Sequence, residues 1–174
     1  MYKELVLECS EGRARIQIQE PATLSEIKEA EKAVGYKFPE ELKELLLEMN
    51  GDKWLLFSTE KIIECVSLNR EYLLECYEDI ESHIFFAGNG CGDYYCYNVS
   101  EDGIVDTSAI HIWLHEDNET RWVAKDMEEL IRRYYNSEIY HKRSAFLAEK
   151  CQCYIELRDC KVYVVALLGQ KNYN

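Results

Sequence analysis

The sequence has little proline or glycine and no long apolar run. Two prolines and eight glycines in 174 residues leave no Pro/Gly/Ser linker, low-complexity tract or repeat at solenoid spacing. The longest uninterrupted apolar stretch, 162–169, has eight residues, whereas a helix needs about 20 to cross a bilayer. We therefore expect a single domain over residues 1–174 and no membrane partner.

A signal peptide and a paired cysteine motif are also missing. The first residues, MYKELVLECSEG, contain neither a basic segment nor an apolar segment of signal-peptide length. The eight cysteines are scattered, and a 20.5 kDa chain can bury a core that needs no disulfides. We expect a cytoplasmic protein with reduced thiols that requires no metal or cofactor.

Lysine and arginine are absent from residues 71–120, which contain 12 acids. Of the 33 acids in the chain, 21 remain elsewhere, against all 20 bases. Nearly all of the net charge of −13 therefore belongs to this segment, which argues against nucleic-acid binding and favours a basic partner or a cation. The alternative is that these acids lie on several solvated faces and only confer solubility.

Helical patterns dominate the first half of the chain. Two strand-like runs, 2–7 and 13–19, come first. Thr23 and Glu26 then form a capping box for a helix that has an apolar stripe and ends at Gly35. The stripe comprises Leu24, Ile27, Ala30 and Val34. A second helix starts with Pro39 as its first residue, a third starts at Ser58/Thr59, and residues 69–80 are a weaker helical candidate.

Short strands follow from residue 84. Short β-type runs at 84–87, 94–99, 104–105, 110–114 and 121–124 alternate with turns rich in Gly, Asn and Asp, which predicts a meander. Asp126 and Glu129 predict a capping box for another helix, and the tail suggests a helix at 144–150 and a hairpin within 154–168. The order of elements predicts an α+β domain with a mainly antiparallel, twisted sheet.

The stretch FAGNGCGDYYCYN, residues 86–98, suggests several kinds of site. A phosphate loop should precede a helix, but these glycines precede a strand. A nucleophilic Cys91 needs a positive environment, and a metal site built from His111, His115, Asp117 and the cysteines lacks a recognised ligand spacing. We interpret the stretch as a tight turn with Gly88, Gly90 or Gly92 at positive φ.

Acid pairs and tyrosines are the remaining candidates. Asp102/Asp106 and Glu116/Asp117 could serve acid–base chemistry, but both pairs lie in polar turns where acids are common. We expect Tyr95 to point to the opposite face from Tyr94 and Tyr97, so that one face of the strand is a tyrosine-bearing acidic surface. Such a surface suits a protein interface, because aromatics anchor a partner and charges steer it.

Four segments in this order resemble the SUKH superfamily of fungal cell-wall-assembly regulators and bacterial immunity proteins. They are FPEELKELLLEMNGD (38–52), WLLFSTEKIIE (54–64), FFAGNGCGDYYCYN (85–98) and IHIWLHEDNETRWVAKDMEELIRRY (110–134). The resemblance covers residues 23–135 and leaves 1–20 and 140–174 as terminal additions. It implies a sheet wrapped by helices and no catalytic apparatus.

The resemblance also implies a function. Bacterial members are similar to immunity proteins that neutralise a cognate polymorphic or contact-dependent toxin, often a nuclease, and a basic toxin domain would suit the acidic segment. An intracellular regulatory or scaffolding module is the alternative, and the sequence does not indicate an oligomeric state. We expect the partner-binding residues to be Asp93, Tyr94, Tyr95, Tyr97, Glu101, Asp102, Asp106, Glu116, Asp117 and Glu119.

Overall fold

Helices and strands are assigned from a computed structural model that describes residues 1–11, 16–74, 77 and 79–139. Within these residues there are five α-helices and four strands. The helices are α1 (Tyr2–Cys9), α2 (Leu24–Val34), α3 (Glu40–Glu48), α4 (Thr59–Leu68) and α5 (Met127–Tyr135). The strands are β1 (His83–Gly88), β2 (Tyr94–Asn98), β3 (Ile110–Leu114) and β4 (Glu119–Ala124).

The predicted caps of α2 and α4 are confirmed. Thr23 Oγ1 accepts from the Glu26 N–H at 3.3 Å, and Glu26 Oε2 accepts from the Thr23 N–H at 2.6 Å. Gly35 ends α2 at φ 94°. Ser58 Oγ accepts from the Lys61 N–H at 3.2 Å at the start of α4. These signals are local in sequence, so they do not depend on tertiary packing.

Three details of the helices differ from the prediction. Leu24 is 63% exposed, so the buried stripe of α2 begins at Ile27. Pro39 is the N-cap of α3 and not its first residue. At α5, Asp126 accepts from the Glu129 N–H at 2.8 Å, but the Glu129 carboxylate accepts from the Lys125 N–H at 2.9 Å. The reciprocal bond of a capping box is therefore displaced by one residue.

The predicted strand at 2–7 is wrong, because this segment is helix α1. Its buried residues are Tyr2, Leu5 and Val6, and this i, i+3, i+4 spacing is that of a helix face. The helix packs against α3 and α5. Residues 12–15 lie outside the described part, and 16–20 form no strand although the Gln17 N–H donates to the Asp52 carbonyl at 3.0 Å.

The predicted meander is confirmed. The four strands pair in the order β1-β2-β3-β4, and each neighbouring pair is antiparallel. The predicted strand at 104–105 is reduced to a single bridge between Val99 and Val105. The fold is thus α+β with an antiparallel sheet, as expected.

Helices cover both faces of the sheet. On one face Phe85, Cys96 and Trp113 pack with Cys65 of α4 and with Ile80. On the other face Tyr95 contacts Tyr134 of α5 with ring centroids 6.1 Å apart, and the Tyr97 hydroxyl donates to Glu41 of α3 at 2.6 Å. The sheet is therefore wrapped by helices, as the resemblance implies.

The weaker predictions have mixed outcomes. Residues 69–80 contain a π-helical turn, Asn69–Leu73, and the start of a 3₁₀ turn, Ile80–Ser82, in place of one helix. The helix at 144–150 and the hairpin within 154–168 lie outside the described residues. Met1–Glu138 is one compact unit, and a single domain over 1–174 remains a prediction. No helix among the described residues is long and apolar enough to cross a membrane.

Candidate partner-binding surface

The glycine-rich stretch is a tight turn between β1 and β2, as predicted. Asn89 Oδ1 accepts from the N–H groups of Cys91 and Asp93 at 2.8 and 3.3 Å. Gly90 and Gly92 have φ of 76° and 100°, where a side chain would be strained. The turn is thus closed by its own side chains, and it leads into strand β2 rather than a helix.

Asp93 joins this turn to the turn between β3 and β4. Its Oδ1 accepts from the backbone N–H of His115 at 3.3 Å and lies 2.8 Å from His115 Nδ1. Burial acts to raise the pKa of Asp93, but hydrogen bonds from His115 and Asn89 hold it below its ordinary value. The bond to Asp93 raises the pKa of His115 against the opposing effect of burial. The two turns therefore form one braced unit.

The second turn is held by three further bonds. The Tyr77 hydroxyl donates to the His115 carbonyl at 2.7 Å, and Trp113 Nε1 donates to Asn118 Oδ1 at 2.8 Å. Asn118 Nδ2 donates to Asp79 Oδ1 at 3.0 Å. These bonds bring together the exposed acids Asp79, Glu116, Asp117 and Glu119. We call these four residues the turn-end surface.

The other predicted acids lie at the opposite end of the sheet. Glu101, Asp102 and Asp106 belong to the connection between β2 and β3, whereas the turn-end surface adjoins the start of β2 and the end of β3. A five-residue strand spans about 17 Å. The structure therefore groups Asp93 with Glu116, Asp117 and Glu119, and it does not bring Glu101, Asp102 or Asp106 to them.

The connection is built differently from the turn end. The Ser100 N–H donates to the Ile104 carbonyl at 2.9 Å, and the Gly103 N–H donates to the Ser100 carbonyl at 2.8 Å. Asp106 accepts from the Ser108 N–H and hydroxyl, and these bonds lower the pKa of Asp106. Ile104 is 68% exposed beside an open groove of about 600 Å³. We call Glu101, Asp102, Ile104 and Asp106 the connection surface.

The tyrosines do not occupy the predicted positions. Tyr95 and Tyr97 are 1% and 0% exposed and share one face, whereas Tyr94 packs on the other face with Phe85 and Trp113. The expectation that Tyr95 points away from both Tyr94 and Tyr97 is wrong, because residues two apart on a strand share a face. Burial raises the pKa values of Tyr95 and Tyr97, and both side chains belong to the core rather than to a contact surface.

Exposed aromatic residues occur elsewhere and were missed from the sequence. Trp122 on β4 is 54% exposed, and the Arg133 guanidinium carbon lies 5.3 Å from its ring centroid. The signal was present, because Trp122 follows three polar residues, Glu-Thr-Arg, and no residue of 119–122 is buried.

A nucleophilic cysteine and a metal site are also candidates from the sequence, and the described residues give neither a supporting geometry. Burial raises the pKa of Cys65 to about 11 and also raises that of Cys96, which opposes formation of the reactive thiolate. Cys91 is exposed in the turn. Among the residues that the structure describes, no three His, Cys, Asp or Glu side chains are arranged to hold a metal ion.

Comparison with known protein families gives a match over most of the chain. The family model described as SMI1 / KNR4 family (SUKH-1) matches residues 21–133, close to the predicted core of 23–135. No curated protein matches the chain. The matched range includes α2, α3, α4, the whole sheet and most of α5, and it excludes α1.

Proposed function

Because the chain belongs to the SMI1 / KNR4 family (SUKH-1), we propose that it is an immunity protein. It acts in the cytoplasm without catalysis, by binding and neutralising a cognate bacterial polymorphic or contact-dependent toxin. The partner is a basic toxin domain, such as a nuclease, whose substrate-binding surface is positively charged.

The observation that carries this proposal is the arrangement of the turn-end surface. Its four acids come from three segments of the chain, the 3₁₀ region, the β3–β4 turn and β4. Arg121 forms an ion pair with one of them, Glu119, but both side chains are about half exposed, so the pair offsets that charge only in part. The remaining acids add to a segment that contains no lysine or arginine, and such a patch accelerates encounter with a basic partner.

Asp93 has a different role from the one expected of it. Its side chain is only 14% exposed and is engaged by His115 and Asn89. We assign Asp93 to positioning the two turns, and we assign steering to Glu116, Asp117 and Glu119. Bracing of this kind fixes the directions of the exposed acids before binding, which reduces the entropic cost of association.

The test reverses the charge at each end of the sheet separately. One variant carries Glu116→Lys, Asp117→Lys and Glu119→Lys, and its matched control carries Glu101→Lys, Asp102→Lys and Asp106→Lys. The toxin candidate is to be sought beside the gene for this chain, as a secreted protein with a basic C-terminal domain. Association rates are measured at low and physiological salt, together with survival of cells that express the toxin.

We expect the turn-end variant to associate at least about tenfold more slowly at low salt and to lose protection, whereas the connection variant keeps both. Association of the native protein should slow as salt shortens the Debye length from about 30 Å to about 8 Å. Unchanged association of a well-folded turn-end variant would exclude this surface. Failure of the native protein to protect against the neighbouring toxin would count against the immunity function itself.

A further inference from the structure

The two outer edges of the sheet differ in whether another described segment covers them. The edge of β1 is covered by residues 55–57: the Phe57 N–H donates to the Phe86 carbonyl and the Gly88 N–H donates to the Leu55 carbonyl, both at 2.9 Å. On the far side, β4 pairs with β3, and no other strand of the described residues pairs with it. An edge strand of this kind presents backbone donors and acceptors to another strand.

Among the described residues, only the first half of β4 has an uncovered edge. Near its end, Val123 and Ala124 are buried, and the Val123 carbonyl accepts from the Arg133 guanidinium. The register with β3 also shifts opposite this point, between Ile110 and His111, and a bulge disrupts further pairing. Glu119, Arg121 and Trp122 are exposed, so the accessible edge is the segment 119–122.

Charge along this edge changes sign. Glu116 and Glu119 lie towards its start, whereas Arg121 and Lys125 lie towards its end, and all four are exposed. A parallel neighbour with the same sequence would place like charges together. An antiparallel neighbour would place the acidic start of one strand beside the basic end of the other, which stabilises cross-strand pairing.

We propose that β4 binds β4 of a second copy of this chain, antiparallel and about a two-fold axis at Thr120. Glu119 of each copy then lies opposite Arg121 of the other, and the two four-stranded sheets become one continuous sheet. Such an interface is isologous, since the same surface is used on both copies.

The register follows from alternation and charge. When the two-fold axis passes through a residue, odd-numbered residues of one copy lie opposite odd-numbered residues of the other, and even-numbered residues lie opposite even-numbered ones. The N–H and C=O groups that point outward from the two edges therefore face each other. An axis at Glu119 or at Arg121 would place that residue opposite its own copy, which opposes pairing through like charge. An axis at Thr120 avoids both of these like-charge contacts. It also places the exposed Trp122 at the interface, where aromatic residues are enriched.

This inference does not depend on the proposed function. We expect the dimer to be weak because the open edge is short, and to be salt-sensitive because the contacts between Glu119 and Arg121 are electrostatic. The direct measurement is sedimentation velocity of the full chain over about a hundredfold range of concentration. We expect the average mass to rise towards that of a dimer. In the same samples, hydrogen exchange at the amides of 119–122 should slow with concentration, whereas exchange in β2 should not change.

Charge exchange across the axis tests the register. Glu119→Lys alone or Arg121→Glu alone creates two like-charge contacts by symmetry, and each should weaken the dimer about tenfold. An equimolar mixture of the two variants restores opposite charges at both contacts, so it should form a heterodimer. The double variant Glu119→Lys/Arg121→Glu should dimerise like the native chain.

Matched controls are available on α5. Glu128→Lys and Arg132→Glu make the same charge changes in an ion pair with nearly the same side-chain exposure, 55% and 46% against 54% and 46% for Glu119 and Arg121, and they should not affect the dimer. Arg121→Glu also separates this inference from toxin steering, because it adds an acid beside the turn-end surface. A monomer at every concentration, or a dimer that the single exchanges leave intact, would overturn the inference.

Discussion

The two ends of the sheet carry similar numbers of acids but hold them by different means. At the turn end, side chains from distant parts of the chain meet: Asp93 bonds His115, and Asn118 bonds Asp79. At the connection end, Ser100, Gly103 and Ile104 bond one another locally. Charge content alone therefore does not distinguish a braced surface from a local loop. The side chains beneath the charges make that distinction.

The largest effect expected from this difference is that of Gly92→Ala. Gly92 has φ 100°, and a Cβ there would lie 2.9 Å from His115 Nδ1. The ring cannot yield freely, because Asp93 holds it. Backbone strain and loss of the Asp93–His115 bond should together lower the free energy of unfolding by about 3 kcal/mol, as measured by urea denaturation.

Gly103→Ala is the matched control at the connection end. Gly103 also has positive φ, 74°, but a Cβ there would meet only Tyr36, at 3.9 Å. We expect about 1 kcal/mol of destabilisation, from the backbone alone. Equal losses for the two variants would show that His115 does not brace the turn.

The second comparison replaces an acid at each end with its amide. Asp93→Asn replaces the carboxylate that bonds His115 and Asn89 with a neutral amide, which is a weaker acceptor. It should therefore lower the free energy of unfolding by about 2 kcal/mol. Asp106→Asn changes an exposed carboxylate that accepts from Ser108, and it should cost under about 0.5 kcal/mol. Thermal unfolding of both variants beside the native chain measures the difference, and equal costs would contradict the distinction between the two ends.

Much of the fold was accessible from the sequence because its signals are local. Thr23, Glu26 and Gly35 define α2 within a few residues of one another, and the Gly- and Asp-rich turns predicted the meander. The helical spacing of Tyr2, Leu5 and Val6 is an equally local signal, and the predicted strand at 2–7 is wrong because it does not use that spacing. Strand alternation also places Tyr95 and Tyr97 on one face and Tyr94 on the other, so the predicted orientation of Tyr95 is wrong.

The site was less accessible, for two reasons. In a meander, alternate turns lie at the same end of the sheet, so the predicted strands already separate Glu116 from Glu101. The predicted set of partner-binding residues does not take this separation into account. The bond between Asp93 and His115 joins residues 22 apart, and it depends on the register of β2 with β3. Sequence patterns do not specify that register, because a shift by two residues preserves the alternation.

A smaller effect concerns pH. The folded pKa of His115 is raised, so its bond to Asp93 contributes fully below the unfolded pKa of about 6.5 and is lost as pH rises through the folded pKa. The folded pKa of Asp93 is lowered, so its contribution is lost as pH falls through that value, well into the acid range. The pair should therefore stabilise the turn end most at mildly acid pH.

The measurement is the difference in unfolding free energy between the native chain and His115→Asn. It should be larger near pH 5.5 than near pH 8. Taking a difference is necessary because burial lowers the pKa values of His83 and His111, so those residues destabilise the fold as pH falls. Glu116 and Asp117 also raise the pKa of His115. A difference that does not vary with pH would show that the pair is not ionised.

The smallest effect on stability is expected from Ile104→Ser. Because Ile104 is 68% exposed, serine removes little buried apolar area, and the free energy of unfolding should change by less than about 0.5 kcal/mol. The variant therefore probes binding with little interference from folding. If the turn-end surface binds the toxin, association and cell protection should equal those of the native chain. A well-folded Ile104→Ser variant that loses affinity would move the interface to the connection surface, where an exposed aliphatic side chain beside three acids would then serve as its anchor.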